Sequence, residues 1–265
     1  MPSVPWRLGA TSYVIPAGLA ENACYLSGKA DDMEMVLFDL EDGTHNLPDA
    51  RTAADLLACA ASGGLSFTVH LPLDLSWQPG ETEHPSLVKA RKVIAATRSL
   101  QPYAYVAHLD QTDLPAHAPA HAVQRWQDQA LYALEHIAAQ LQEPRRLALE
   151  NLESFPPDRN DAILARLPIS RCIDVGHLWR DERDPLPWLQ AGIDRTRVIH
   201  LHGAAQTDHI SLRHMPAAEI DRVLCFLYQH QYAGVLTLEV FGTEDFLSSR
   251  QVYQQRLEEM PCQEK

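Results

Sequence analysis

Eight short runs of strand-forming residues recur along this chain, and each is followed by helix-forming or loop-forming sequence. The runs cover residues 6–15, 33–40, 66–71, 103–108, 146–151, 170–174, 197–202 and 235–241. Helices are predicted between them over about 19–26, 48–61, 86–100, 120–141, 158–167, 185–191, 217–230 and 246–259. Strict alternation of this kind predicts a parallel sheet, and eight units predict closure into an α/β (β/α)8 TIM barrel. The length of 265 residues suits one such domain over 1–265, with the last few residues (PCQEK) as a frayed tail. The first run is not followed by a glycine-rich fingerprint, which disfavours a dinucleotide-binding doubly wound sheet.

A parallel barrel brings all strand C-termini to one face, so residues far apart in sequence meet if each ends a strand. The ends here carry His70, His108, Glu150, Asp174 with His177, His200 with His202, and Glu239, while Asp208 and His209 follow the seventh run. The piece Cys172-Ile173-Asp174-Val175-Gly176-His177 places a carboxylate at a strand tip and an imidazole three residues on. Gly176 is expected to let the backbone turn sharply between them. One strand-end histidine is more often a hydrogen-bonded core residue than a ligand, and a lone glutamate can simply pair with an arginine. Six successive strands with such ends do not fit that bland reading. Cys172 reads as a small buried side chain.

Nitrogen and oxygen donors in this ratio suit Zn or Mn, with Fe or Co as further options, and are too histidine-rich for Mg or Ca. A single catalytic zinc needs three protein ligands, so this set implies two or three divalent ions with Glu150 or Glu239 as a bridge. His202 and Asp208 are assigned to substrate or to support of the ligands. Clustered ions suit phosphodiester hydrolysis, and a single ion flanked by two carboxylates suits proton shuttling in a sugar isomerase.

The formal net charge is −13, which disfavours a surface for duplex nucleic acid. The five cysteines are odd in number and lack a C-x-x-C pair, so they read as reduced thiols. The N-terminus has no apolar signal core and no apolar run is long enough for a bilayer, so a soluble cytoplasmic protein without a membrane partner is expected.

The ligand order H…H…E…D-x-x-H…H…D-H…E resembles the xylose-isomerase-like, apurinic-endonuclease-type barrel superfamily over nearly the whole chain. Its most specific pieces are DVGH at 174–177, VIHLHG at 198–203 and DHISL at 208–212. The family resemblance implies metal positions at His70, His108, Glu150, Asp174, His177, His200, His209 and Glu239, with Glu150, Glu239 and His200 as the catalytic members. The endonuclease members carry Asp-x-His where this chain has adjacent Asp208 and His209, a departure that bears on a third metal. GATSYVIPAG at 9–18, MEMVLFD at 33–39, NLP at 46–48 and FTVHLPLDL at 67–75 look like the cobamide-remodelling phosphodiesterases of that superfamily. That resemblance implies cleavage of the phosphodiester joining the lower-ligand nucleotide to the corrin ring, with a corrinoid as the small-molecule partner. Tyr13, Leu71, Asp74 and Trp77 are expected at the mouth, near the substrate. Three rivals remain: a metal-dependent sugar isomerase or epimerase, an apurinic-site endonuclease, and a non-catalytic corrinoid- or metal-binding module.

Overall fold

A computed structural model describes residues 3–40, 42–72, 85–109, 111, 114, 117–156, 158–205 and 207–260. Eight strands form a closed, all-parallel barrel in sequence order: β1 Arg7–Thr11, β2 Asp32–Val36, β3 Ser66–His70, β4 Tyr105–Ala107, β5 Leu147–Glu150, β6 Ser170–Asp174, β7 Thr196–Leu201 and β8 Val235–Leu238. β1 pairs with β8 through Ala10 and Leu238, which closes the ring. Among the described residues nine helices surround it: α1 Leu19–Leu26, α2 Ala50–Gly63, α3 Pro85–Thr97, α4 Ala120–Ala138, α5 Arg159–Leu164, α6 Val175–Arg180, α7 Leu186–Gly192, α8 Ala217–Gln229 and α9 Thr243–Glu258.

Local chemistry explains the main boundaries. Asp49 caps α2 by accepting from the Thr52 N–H at 2.7 Å, and Gly64 ends that helix at φ 69°. A side chain would resist that left-handed backbone. The α6 segment was expected to be a turn; it is helical because the Asp174 side chain accepts from the His177 N–H at 2.6 Å and so caps it.

Two apolar layers separate inside from outside. The larger packs outward-facing strand residues such as Val69, Ile173, Ile199 and Leu236 against helix residues such as Leu56, Leu134, Val223 and Phe246. Each such large side chain contributes roughly 1.5–3 kcal/mol on full burial. The smaller lies inside the barrel and consists of Ala104, Val106, Ala148, Cys172 and Val198. Above it, towards the strand C-termini, the inward positions turn polar: Glu34, His70, Glu150, Asp174, His200 and Thr237 are all buried. Register holds these rows level, with Asp174 opposite His200, and His200 opposite Thr237.

The cysteines depart from expectation. Cys24 of α1 and Cys59 of α2 form a disulfide, with their Cα atoms 5.5 Å apart. Packing of α1 on α2 brings together residues separated by 35 positions, a pairing that spacing does not reveal. Cys172 is a buried free thiol, and Cys262 lies outside the described residues. Among the described residues no helix is long and apolar enough to cross a membrane.

Candidate metal centre

The strand-end residues meet at the C-terminal mouth of the barrel, as their positions predicted. They fall into three adjoining groups. In the first, His70 at the end of β3 uses Nδ1 to bond the Leu71 carbonyl at 2.8 Å. Its Nε2 therefore points inward, 3.0 Å from His108 Nε2 and 3.4 Å from Glu150 Oε2. His108 Nε2 is itself 2.7 Å from that same oxygen. Two imidazole nitrogens and one carboxylate oxygen thus face a common point.

The second group gathers around His200 on β7. Its Nδ1 lies 3.1 Å from Glu150 Oε1, 3.0 Å from Glu239 Oε2 and 3.7 Å from Asp174 Oδ2. Glu150 accordingly turns one oxygen to each group. Glu239 Oε2 is buried, with the imidazoles of His200 and His209 near it, at 3.0 and 3.5 Å.

The third group holds His177, His202 and His209, each with a ring nitrogen within 4.8 Å of the others. His177 on α6 bonds the Asn151 carbonyl through Nδ1 at 3.1 Å, and His209 bonds the Glu239 carbonyl through Nδ1 at 3.2 Å. In both, Nε2 is the nitrogen left for a ligand. His202 is more committed. Its Nδ1 accepts from the His209 N–H at 3.0 Å and its Nε2 lies 3.2 Å from Asp174. It ties the loop that carries His209 to the strand that ends on Asp174. His209 has φ 52°, an unfavourable backbone for a residue with a side chain, held here by its contacts with His202 and Glu239.

The expected role of Gly176 needs correction. It sits inside α6 and has no positive φ. A Cβ there would lie 2.2 Å from the His202 ring, so Gly176 is small to make room for an imidazole. Asp208, assigned to substrate or to support of the ligands, forms an ion pair with Arg180 and belongs to none of the three groups. Asp74 and Trp77 lie outside the described residues. Leu71 is buried and offers the site its carbonyl. Tyr13 stands at the mouth, 39 % exposed, with its ring 6.3 Å from that of Phe241, which in turn lies 5.5 Å from the His209 ring.

Two acids were missed in the sequence. Glu34, fully buried on β2, lies 3.0 Å from His200 Nε2 and accepts from the Thr237 hydroxyl at 3.1 Å. The signal was present: in Met33-Glu34-Met35 an acid sits between two apolar residues inside a strand. Glu153, in the loop after β5, lies 3.4 Å from His177 Nε2. Asn151 was also overlooked. Its amide accepts from the Asp174 N–H and donates to the Asp174 carbonyl, at 3.0 Å each, and so fastens β5 to β6 beside the site.

Charge within the cluster is strongly polarised. Burial pushes the Glu150 carboxyl up, but the charges of His200 and His108 and their hydrogen bonds hold it well below the ordinary carboxylate range. Asp174 is likewise held well down, by His177 and His202 against burial. Burial pushes His70 down, yet Glu150, Glu34 and Glu239 raise it to about 9. His177 also reaches about 9, with Asp174 and Glu150 outweighing burial. In the bare protein, protons on imidazoles balance buried carboxylates. Divalent cations would replace those protons with the same sign of charge, and the oxygen and nitrogen donor set fits them. His70, His108 and Glu150 could hold one ion, and Glu150, Asp174, His200 and Glu239 a second. His177 and His209, with Glu153 or His202 beside them, could hold a third.

Solved structures share the fold. A D-tagatose 3-epimerase-like protein superposes with a TM-score of 0.75 at 18 % identity, covering 96 % of this chain and 98 % of its own. Endonuclease IV from Thermus thermophilus gives 0.70 at 19 %, covering 96 % and 99 %. A probable 3-DHS dehydratase from Bacillus anthracis gives 0.71 at 13 %, covering 94 % and 98 %. No curated protein matches the sequence. At these identities the likenesses establish the fold, and the structures found are named for isomerising, hydrolytic and eliminating enzymes. The family model of the xylose isomerase-like TIM barrel matches residues 28–260, and the chain belongs to that family.

Proposed function

We propose that this protein is a metal-dependent phosphodiesterase that hydrolyses the nucleotide-loop phosphodiester of cobamides. The observation that carries the hydrolase reading is Glu150. One oxygen faces His70 and His108 and the other faces His200, so one carboxylate serves two neighbouring ligand groups. Ions held by these two groups would suit a diester phosphate, whose two non-bridging oxygens need charge neutralisation. When bound, such ions lower the pKa of water to ~7 and polarise the phosphorus centre. The chain's own part is to fix the donors: Leu71, Asn151 and Glu239 carbonyls and the Glu34 carboxylate each hold one nitrogen of a histidine and aim the other inward. Hydrolysis takes up one water: its oxygen joins phosphorus, one P–O bond breaks, and the departing alkoxide leaves as the alcohol.

The cobamide assignment rests on the resemblance of the first third of the chain, and the fold supports its relevance. Three of the segments that carry the resemblance are joined at the mouth. Ser12 accepts from the Val36 N–H at 3.1 Å. Asn46 accepts from the Phe38 N–H at 2.8 Å and donates to the Val36 carbonyl at 2.9 Å and the Tyr13 hydroxyl at 3.2 Å. A fourth, 67–75, contributes His70. The test is incubation of the purified protein with adenosylcobalamin or pseudocobalamin and Zn or Mn. Release of the lower-ligand nucleoside or nucleotide is expected; an intact corrinoid in every metal overturns the assignment.

A second reading, a sugar epimerase or isomerase, is favoured by the second group taken alone. Glu150, Asp174, His200 and Glu239 complete a four-donor site for one ion with a carboxylate on each side. Epimerases also appear among the solved structures of the same fold. It predicts turnover of a ketohexose and no phosphodiester cleavage.

A further inference from the structure

At the opposite end of the barrel a cavity of about 600 Å³ opens where β6 and β7 begin. Its size falls in the range of small-molecule sites. Arg145, Arg166, Arg195 and Arg197 line it, against one carboxylate, Asp194. In a chain of net charge −13 this local reversal is unusual.

The arginines are held without being neutralised. Arg195 donates to the carbonyls of Leu164, Leu167 and Ile169 at 2.6, 2.8 and 2.5 Å. Arg197 donates to the Tyr103 carbonyl at 2.9 Å and lies over the Tyr103 ring at 4.0 Å. Carbonyls satisfy N–H groups but carry no net charge, and neither guanidinium has an ion pair among the described residues. Arg197 Nε is buried and unbonded among the described residues. Arg166 has an ion pair of 3.7 Å with Asp128, with both side chains 60 % exposed, and such a pair neutralises little. No ion pair of Arg145 is seen among the described residues. Burial pulls the Arg197 guanidinium below its ordinary value, with Arg146 and Arg145 adding to the effect against Tyr103 and Glu143.

We infer that this cavity is an anion site for a phosphorylated small molecule, separate from the metal centre. Guanidinium groups match phosphate oxygens with paired, charge-assisted hydrogen bonds. Ser170, which lines the same cavity, donates through its hydroxyl to the Arg145 carbonyl and fixes the loop that presents Arg145. The ligand chemistry is a di- or triphosphate, free or as a nucleotide.

The test is calorimetric titration of the full-length protein, stripped of metal by a chelator so that the opposite mouth cannot hold phosphate through ions. Sodium pyrophosphate and ATP are the probes. Saturable binding is expected, weakened by about ten-fold or more in Arg145→Ala/Arg166→Ala, whose side chains are exposed and remote from the core. Asp194→Asn, which removes the one carboxylate, is expected to tighten binding. Tighter binding of ATP than of pyrophosphate assigns the site to a nucleotide, and equal binding assigns it to the phosphates alone. Absence of saturable binding by both probes, or equal affinity in the double arginine variant, overturns the inference.

Discussion

His200 Nε2 lies 3.0 Å from Glu34 Oε2, while its other nitrogen faces Glu150 and Glu239 at 3.1 and 3.0 Å. Glu34 therefore fixes which nitrogen of His200 is presented to the candidate metal centre, and a carboxylate behind an imidazole makes it a stronger donor. Glu34→Ala is expected to weaken metal affinity by roughly 10–100-fold. Glu34→Gln keeps an acceptor for the Nε2 proton and should recover part of the loss. Chelator competition on folded protein reads this directly; equal affinity in all three proteins would show that Glu34 plays no part in positioning.

Gly176→Ala places a Cβ where the His202 ring now stands. The expected cost is about 1–3 kcal/mol, typical of overpacking. The double variant Gly176→Ala/His202→Ala relieves the clash, so its destabilisation should be less than the sum of the two single changes. Denaturant titration of the four proteins checks this, and strict additivity contradicts the packing account.

Glu239→Gln is expected to reduce turnover at least ~100-fold, since it removes a charged donor at the centre of the second group. Glu150→Gln should do as much and also lower metal content by more than any other single change, because two groups share Glu150. His209→Ala should affect the third group alone. Metal analysis alongside steady-state rates separates these outcomes.

Asp32, buried inside the barrel below Glu34, has a carboxyl raised to about 6 by burial, against the Ser66 hydrogen bond and the Arg7 charge. Its folded value exceeds its ordinary one, so the folded state holds the extra proton between about pH 4 and 6. Stability attributable to this residue is then highest below pH 4 and falls as pH rises to 6. The penalty is on the order of 3 kcal/mol. Asp32→Asn should remove that downward component from the pH profile and gain relative to the parent above pH 6. Urea midpoints at pH 4 and 7 test it; parallel profiles contradict it.

The barrel and most of its site could be read from sequence because each strand ends on a residue type that packing alone does not require. His70, Glu150, Asp174 and His200 stood out for that reason, and β6 matched its expected span, Ser170–Asp174. Features set by contacts between distant elements were not legible. Glu34 sits mid-strand and acquires its role only through His200, 166 residues away. Gly176 resembled a hinge until the His202 ring appeared beside it. Asp208 was placed near the site by its position beside His209, but its ion pair with Arg180 on α6 could not be read from sequence. Cys24 and Cys59 offered no spacing that would mark them as a pair.

The central claim is that Glu150 joins two metal groups in one centre. Elemental analysis of protein reconstituted with excess Zn or Mn and then freed of unbound ions tests it most directly. At least two ions per chain are expected, falling below one in Glu150→Gln. A single ion per chain in the parent protein, at saturating metal, would contradict the bridged centre and leave the one-ion epimerase reading in its place.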